Sequence, residues 1–317
     1  MRMNARMWRT FTTNRTWTAR RGTADHDAVD QRWQGLGTGR LGRSGLTLLL
    51  DSHLHVVSPD GARHPLAPVG LPGDSWATTR PASVDVLAAD LVSAGVGGGV
   101  LVQAVGAYGY DNSYVVEAAE RFDQFVAQVV VDHTSSDRVA DLHRWATRGA
   151  GGVRLFDIPA ADPRWLGVPG FEEVVEVCLD LGLRIACCVL PDGLDDVARV
   201  LDLVAGRAPV VLDHCGFVDL DTGGLVTLAR LADRGDLVCK VTSHVLAGLV
   251  DPAATVARLV AAFGADHVCW GSDHPQHEGS YADKVALVSR AADDLTDDQR
   301  AMFLAGTTAN LWPELVR

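Results

Sequence analysis

The chain has 317 residues, 47% of them hydrophobic and 21% charged. This is the balance of an ordinary soluble globular protein, long enough for one large α/β domain or two small ones. A formal net charge of −12 excludes nucleic acid as the main partner, because phosphate binding needs a basic face. The lack of any apolar run near the roughly 18 residues of a membrane span argues against a membrane partner; the small-molecule partner expected for this chain comes from its motifs.

The charge is unevenly spread. Residues 1–45 carry nine Arg and three Asp, a balance of +6, so the remaining 272 residues carry −18. That first segment has no helical or strand period and no sizeable apolar cluster. It is expected to be a disordered basic extension, since a segment that buries little apolar area cannot offset its ordering entropy. A binding arm and a plain tail are both open, and no site is placed there. It contains no apolar h-region of a secretory signal. The six cysteines, Cys178, Cys187, Cys188, Cys215, Cys239 and Cys269, lie in apolar runs without a C-x-x-C pair. They read as reduced buried thiols, which points to the cytoplasm.

From Leu46 onward, short apolar runs alternate with amphipathic ones. The predicted strands are Leu46–Val56, Gly99–Val105, Phe125–Asp132, Gly152–Ile158, Leu183–Leu190, Pro209–His214, Leu237–Thr242 and His267–Ser272. The predicted helices are Ser83–Ala94, Asn112–Arg121, Asp137–Thr147, Phe171–Leu181, Leu194–Val204, Gly224–Arg234 and Pro252–Phe263, with a last helical region from Tyr281 to Asn310. Near-continuous Val/Leu/Ile strands belong to a parallel sheet covered on both faces. Eight βα units over residues 46–317 fit a (β/α)8 TIM barrel, and no G-x-G-x-x-G follows the first strand to favour a dinucleotide-binding sheet. The Pro/Gly-rich stretch from Ser58 to Pro81 is long for a connection and is expected to wall or cover a site.

The first strand ends in Asp51-Ser52-His53-Leu54-His55. Its period of two puts Asp51, His53 and His55 on one face, with the imidazoles about 6.6 Å apart at Cα. In a barrel the polar residues at the C-terminal strand ends meet in space. They are His53 and His55 from strand one and Gln103 from strand two, leading to Tyr108, Tyr110 and Asn112. Strand three adds Asp132 and His133, strand four Arg154 and Asp157, and strand six Asp213 and His214. Strand seven adds Lys240, Thr242 and His244, and strand eight Asp273 and His274.

Taken in order, Asp51-Ser52-His53-Leu54-His55, Leu101-Val102-Gln103 with Asp111-Asn112-Ser113-Tyr114, and Gly152-Val153-Arg154-Leu155 form the first half of a motif series. Leu212-Asp213-His214-Cys215-Gly216, Trp270-Gly271-Ser272-Asp273-His274-Pro275 and Gly306-Thr307-Thr308-Ala309-Asn310-Leu311 complete it. The series resembles the amidohydrolase superfamily, and within it the amidohydrolase-2 group of lactonases and decarboxylases, most closely the dicarboxylate-pyrone and sugar-lactone lactonases. The resemblance implies that Asp273 is the general base that activates water, and that His53, His55 and His214 polarise a carbonyl or bind metal. A lactone carbonyl under attack develops an oxyanion, so a base on one side and donors or a cation on the other suit the chemistry. Arg154 either clamps a substrate carboxylate through its fork or pairs with a buried carboxylate such as Asp157 or Asp132. Gln103, Tyr108 and Asn112 are candidates for substrate binding. His244, His274 and His277 are expected at the rim.

Two departures from the family shape the expectation. Metal-binding members carry a histidine near the end of strand five, where this chain reads Leu183-Arg184-Ile185-Ala186-Cys187-Cys188-Val189-Leu190. A required metal is therefore disfavoured. Zn or Mn on His53, His55 and Asp273 is the alternative, with Cys187 or Cys188 as a substitute ligand. After strand six, Phe217-Val218 stands where dicarboxylate-lactone enzymes have a basic residue, which favours a mono-acid or sugar-like lactone. The sequence thus points to a lactone hydrolase. A metal-dependent decarboxylase or amidohydrolase is the alternative, and a non-catalytic ligand-binding barrel is a second.

Overall fold

A computed structural model describes residues 48–69, 76–158 and 164–316. The expected extension over residues 1–45 lies outside the described residues. The strands are β1 (Leu50–Leu54), β2 (Gly98–Val102), β3 (Phe125–Val130), β4 (Gly152–Asp157), β5 (Arg184–Val189), β6 (Val210–Leu212), β7 (Leu237–Thr242) and β8 (Val268–Gly271). They form one parallel sheet in the order β1 to β8. The sheet closes on itself at the C-terminal strand ends, where Asp273 N donates to His53 O (2.9 Å) and His55 N donates to His274 O (2.8 Å). The fold is the (β/α)8 barrel that the alternation of apolar runs predicts.

The main covering helices are α1 (Val84–Ala94), α2 (Ser113–Arg121), α3 (Arg138–Thr147), α4 (Phe171–Asp180), α5 (Leu194–Val204), α6 (Gly224–Ala232), α7 (Pro252–Phe263) and α8 (Tyr281–Ala291). Their starts follow local capping chemistry. Ser83 accepts from Val86 N at the head of α1, Asp251 accepts from Ala254 N ahead of Pro252 in α7, and Ser280 forms a capping box with Asp283 in α8. The single helical region expected from Tyr281 to Asn310 is broken. Thr296 makes a second capping box with Gln299, so a new helix starts at Asp297.

Strand alternation divides the core in two. Outward residues such as Leu101, Val129, Val153, Ile185, Leu212, Val241 and Trp270 pack under the helices. Inward residues Val100, Val102, Val126, Ala186, Val211, Val238 and Cys269 form a smaller cluster inside the barrel with Leu311 and Trp312. The same alternation turns Arg154, Cys188, Lys240 and Thr242 inward. The sheet therefore carries charged side chains into its centre, above the apolar layer. Among the described residues, no helix is long and apolar enough to cross a membrane.

Candidate active site

The first strand departs from a plain period of two. Its register shifts between Asp51 and Leu54, so Asp51 does not join the two histidines. Its carboxylate instead ties β1 to β8, accepting from His53 N (3.0 Å), Ser272 N (2.9 Å) and the Tyr281 hydroxyl (3.1 Å). Burial pushes this carboxyl up to about 6.

His53 and His55 stand edge to face with ring centroids 5.0 Å apart, and His214 lies 5.0 Å from His53. Asp273 completes the cluster. Its Oδ1 is 3.3 Å from His55 Nε2 and 3.7 Å from His53 Nε2. Burial alone would raise the Asp273 carboxyl, but His55, His214 and His53 around it hold it well below the usual carboxylate range. His53 is lowered well below an ordinary imidazole, first by burial and then by Lys240, and His214 is lowered to about 4, chiefly by burial. At neutral pH the cluster holds an ionised carboxylate facing two neutral imidazoles.

The backbone under two of these residues is strained. His214, Cys215 and Phe217 have φ of 54°, 51° and 52°, and Asp273 has φ of 54°. Left-handed conformations cost non-glycine residues on the order of 1–3 kcal/mol each and persist where surrounding structure enforces them, often at functional sites. Here they swing His214 off the end of β6 and Asp273 off the end of β8 toward β1.

Behind the imidazoles lies a buried ionic floor. Arg154 Nε donates to Asp213 Oδ2 (2.7 Å), and Lys240 Nζ is 2.8 Å from Asp213 Oδ1. Burial opposes the Asp213 charge, yet Lys240 and Arg154 hold its carboxyl far below the usual range. Arg154 also reaches Cys188 Sγ (3.2 Å) and His214 Nε2 (3.4 Å). Its carboxylate partner is thus Asp213, not Asp157 or Asp132, and its guanidinium belongs to the floor of the site. Lys240 and Asp213 stand among the polar strand-end residues in the sequence, but nothing there pairs them. The available signal was parity, since Lys240 shares the inward phase of Val238 and Thr242.

The ring orientations follow from their far nitrogens. His55 Nδ1 lies 2.9 Å from Val102 O, a carbonyl that can only accept, so Nδ1 carries a proton, and Nε2 faces Asp273. His214 Nδ1 pairs with Thr242 Oγ1 at 2.8 Å. The donor group whose atoms all lie within 4.8 Å of one another is His53, His214 and Asp273. The sequence expectation had His55 in place of His214; His55 meets the group through Asp273 Oδ1 and edge to face with the His53 ring. Cys188, weighed as a substitute ligand, has its thiol pushed up to about 12 by burial, and Cys187 turns outward into the helix-facing core.

The three other expected substrate contacts brace loops. Gln103 Nε2 donates to Gly109 O (3.0 Å) and Asp111 O (2.8 Å), and Asn112 pairs with both Val130 N and Val130 O (2.8 and 2.7 Å). The Tyr108 hydroxyl accepts from Ser58 N (2.7 Å). That bond, with Ala67 N to Ala107 O and Val69 N to Val105 O, fastens the connection after β1 to the loop after β2. Farther along the connection, Trp76 packs its ring 5.6 Å from His55. At the rim, Phe217 stacks on His214 at 4.7 Å, and His244 lies 5.8 Å from Phe217 and 5.7 Å from His277.

The model of the amidohydrolase family matches residues 50–313. The chain is 28% identical over 269 residues to 4-sulfomuconolactone hydrolase of Rhizobium radiobacter, a match that spans 77% of this chain and 84% of that one. Among solved structures, a Pseudomonas putida protein assigned as a 2-pyrone-4,6-dicarboxylic acid hydrolase superposes with a TM-score of 0.68 at 23% identity, covering 85% of this chain and 98% of its own. An amidohydrolase of Burkholderia multivorans with bound zinc superposes with a TM-score of 0.66 at 21% identity, covering 84% and 99%. At these identities the two structures speak to the fold alone.

Proposed function

The chain belongs to the amidohydrolase family, and on that premise we propose that it hydrolyses a small cyclic ester, a lactone bearing an acidic or sugar-like group, by attack of water on the ring carbonyl. The observation that carries this reading is the buried meeting of His53 Nε2 and Asp273 Oδ1. Both atoms lie at the mouth of the barrel, and neither has a hydrogen-bond partner among the described residues. Buried polar atoms without partners are costly, so a pair aimed at one point is suited to a water, a substrate oxygen or a cation. The relative that opens a sulfonated muconolactone supports the ester class.

The donor set fits a divalent cation such as zinc or manganese, because two neutral imidazoles and an ionised carboxylate are ordinary ligands for it. His53, His214 and Asp273 would hold it, and His214 from β6 makes up for the histidine absent from β5. When bound, such a cation supplies Lewis acidity toward the ester carbonyl and acidifies water. This reading gives a cation more weight than the sequence of strand five does.

The chain's own residues account for the remaining steps. Asp273 is ionised at every working pH and orients the attacking water. Because its carboxyl is held so low, it is a weak proton acceptor in the resting site, and His55, whose Nε2 lies 3.3 Å away, shares the proton. The Arg154 guanidinium, 3.4 Å from His214 Nε2, supplies the positive charge that favours a developing oxyanion. Phe217, stacked on His214, offers an apolar rim where a second substrate carboxylate would find no partner.

A panel of γ- and δ-lactones tests this reading, with acid release followed at pH 7–8, with and without added zinc or manganese. Turnover of mono-acid or sugar-like lactones, with dicarboxylated pyrones poor, is expected. Release of carbon dioxide from hydroxybenzoates without any lactone opening would instead favour a decarboxylase.

A further inference from the structure

Lys240 has no exposed surface, sits in the middle of the apolar strand β7, and places its ammonium above the ring of Trp312 at 5.6 Å. Its Nζ lies 2.8 Å from Asp213 Oδ1 and 3.4 Å from His53 Nδ1. An ammonium paired with a carboxylate has only hydrogens to present, so the nitrogen facing it must offer a lone pair. The competing acceptor for a proton on His53 Nδ1 is Asp213 Oδ1, and at 3.7 Å it is beyond hydrogen-bond reach. His53 therefore carries its proton on Nε2, the atom that faces Asp273.

This is the reverse of the usual arrangement at metal sites, where a ligating histidine donates its far N–H to a carbonyl or carboxylate and so frees the other nitrogen. His55 has that usual arrangement through Val102 O. His55 thus carries a proton on Nδ1, away from the centre, whereas His53 carries its proton on Nε2, toward it. The buried charges near the cluster, Arg154, Lys240, Asp213 and Asp273, also sum to zero before any cation is added.

We propose that Lys240 is a positioning residue that holds His53 with its proton on Nε2, and that it thereby weakens the grip of the His53, His214 and Asp273 cluster on a divalent cation. The affinity half of this proposal rests on reading that cluster as a cation site. The enzyme would then bind zinc or cobalt loosely, and His53 would serve without the cation as a hydrogen-bond donor to substrate oxygen. Removing the ammonium frees Nδ1 to carry the proton, and Nε2 becomes a ligand.

Two measurements on the full chain test this. In ¹⁵N-histidine-labelled wild-type protein, with His53 assigned by its loss in His53→Asn, long-range ¹H–¹⁵N correlations should give the Nε2–H pattern; an Nδ1–H pattern would overturn the proposal without recourse to any Lys240 variant. In parallel, Co²⁺ is titrated by equilibrium dialysis into wild type and Lys240→Met, with folding checked by circular dichroism. The variant should bind about ten-fold more tightly or better, the scale on which outer partners of metal ligands act. Equal or weaker binding means that Lys240 is structural or supports the ligand, and overturns the claim. If neither protein binds cobalt, the cation site and the claim about affinity both fall, while the tautomer still stands or falls on the NMR.

Discussion

Asp51 shows how a single buried carboxylate can serve architecture while sitting two residues from the chemistry. It accepts three hydrogen bonds that join β1, β8 and α8, and its burial raises the carboxyl to about 6. Between the ordinary carboxylate range and that value, the folded chain keeps a proton that the unfolded chain has lost. The contribution to stability is therefore fully present below about pH 4 and is lost as pH rises through 6, an effect on the order of 2–3 kcal/mol. In Asp51→Asn this loss should vanish. Urea unfolding at intervals from pH 4 to 7 should give a wild-type minus variant difference that falls by that amount, whereas parallel profiles would show that the carboxyl is not perturbed.

At the scale of elements, the site depends on how closely β8 approaches β1. Gly271 permits it: a Cβ there would lie 2.5 Å from His53 Cβ and 3.0 Å from His53 N, atoms that cannot move aside. Gly271→Ala must push the strands apart and break the Asp273 N to His53 O bond, which carries Asp273 away from both histidines. Overpacking of this kind costs about 1–3 kcal/mol, and displacement of a catalytic group by about an ångström costs roughly a hundred-fold in rate. The variant should fold with reduced stability and lose disproportionately more kcat, read from denaturant curves beside steady-state kinetics. Wild-type kcat in the variant would mean that the β1–β8 seam does not set the geometry. The turn Asp213–Phe217 does the corresponding work for β6, aiming His214 through its left-handed backbone.

For the whole molecule, the barrel was legible because each buried strand is an unbroken apolar run, and β7 and the helices starting at Leu194 and Pro252 fall on their predicted bounds. His53, His55, His214 and Asp273 were legible for the same reason: a barrel gathers polar strand ends at one mouth. Features that depend on contacts across the sheet were not. The register shift that removes Asp51 from the histidine face, the choice of Asp213 as partner for Arg154, and the approach of Lys240 to His53 are pairings between residues from 47 to 187 positions apart in the chain. No local pattern encodes them. Gln103 and Asn112 are expected as substrate contacts from their types and positions, and their bonds to backbone, which brace loops, are not encoded locally either. The rate of lactone opening by wild type and Asp273→Asn, with circular dichroism to confirm an intact fold, tests the central claim most directly. The account predicts a loss of about 10²–10⁴-fold in kcat, the usual contribution of a positioned acid–base group; a variant within a few-fold of wild type would contradict it.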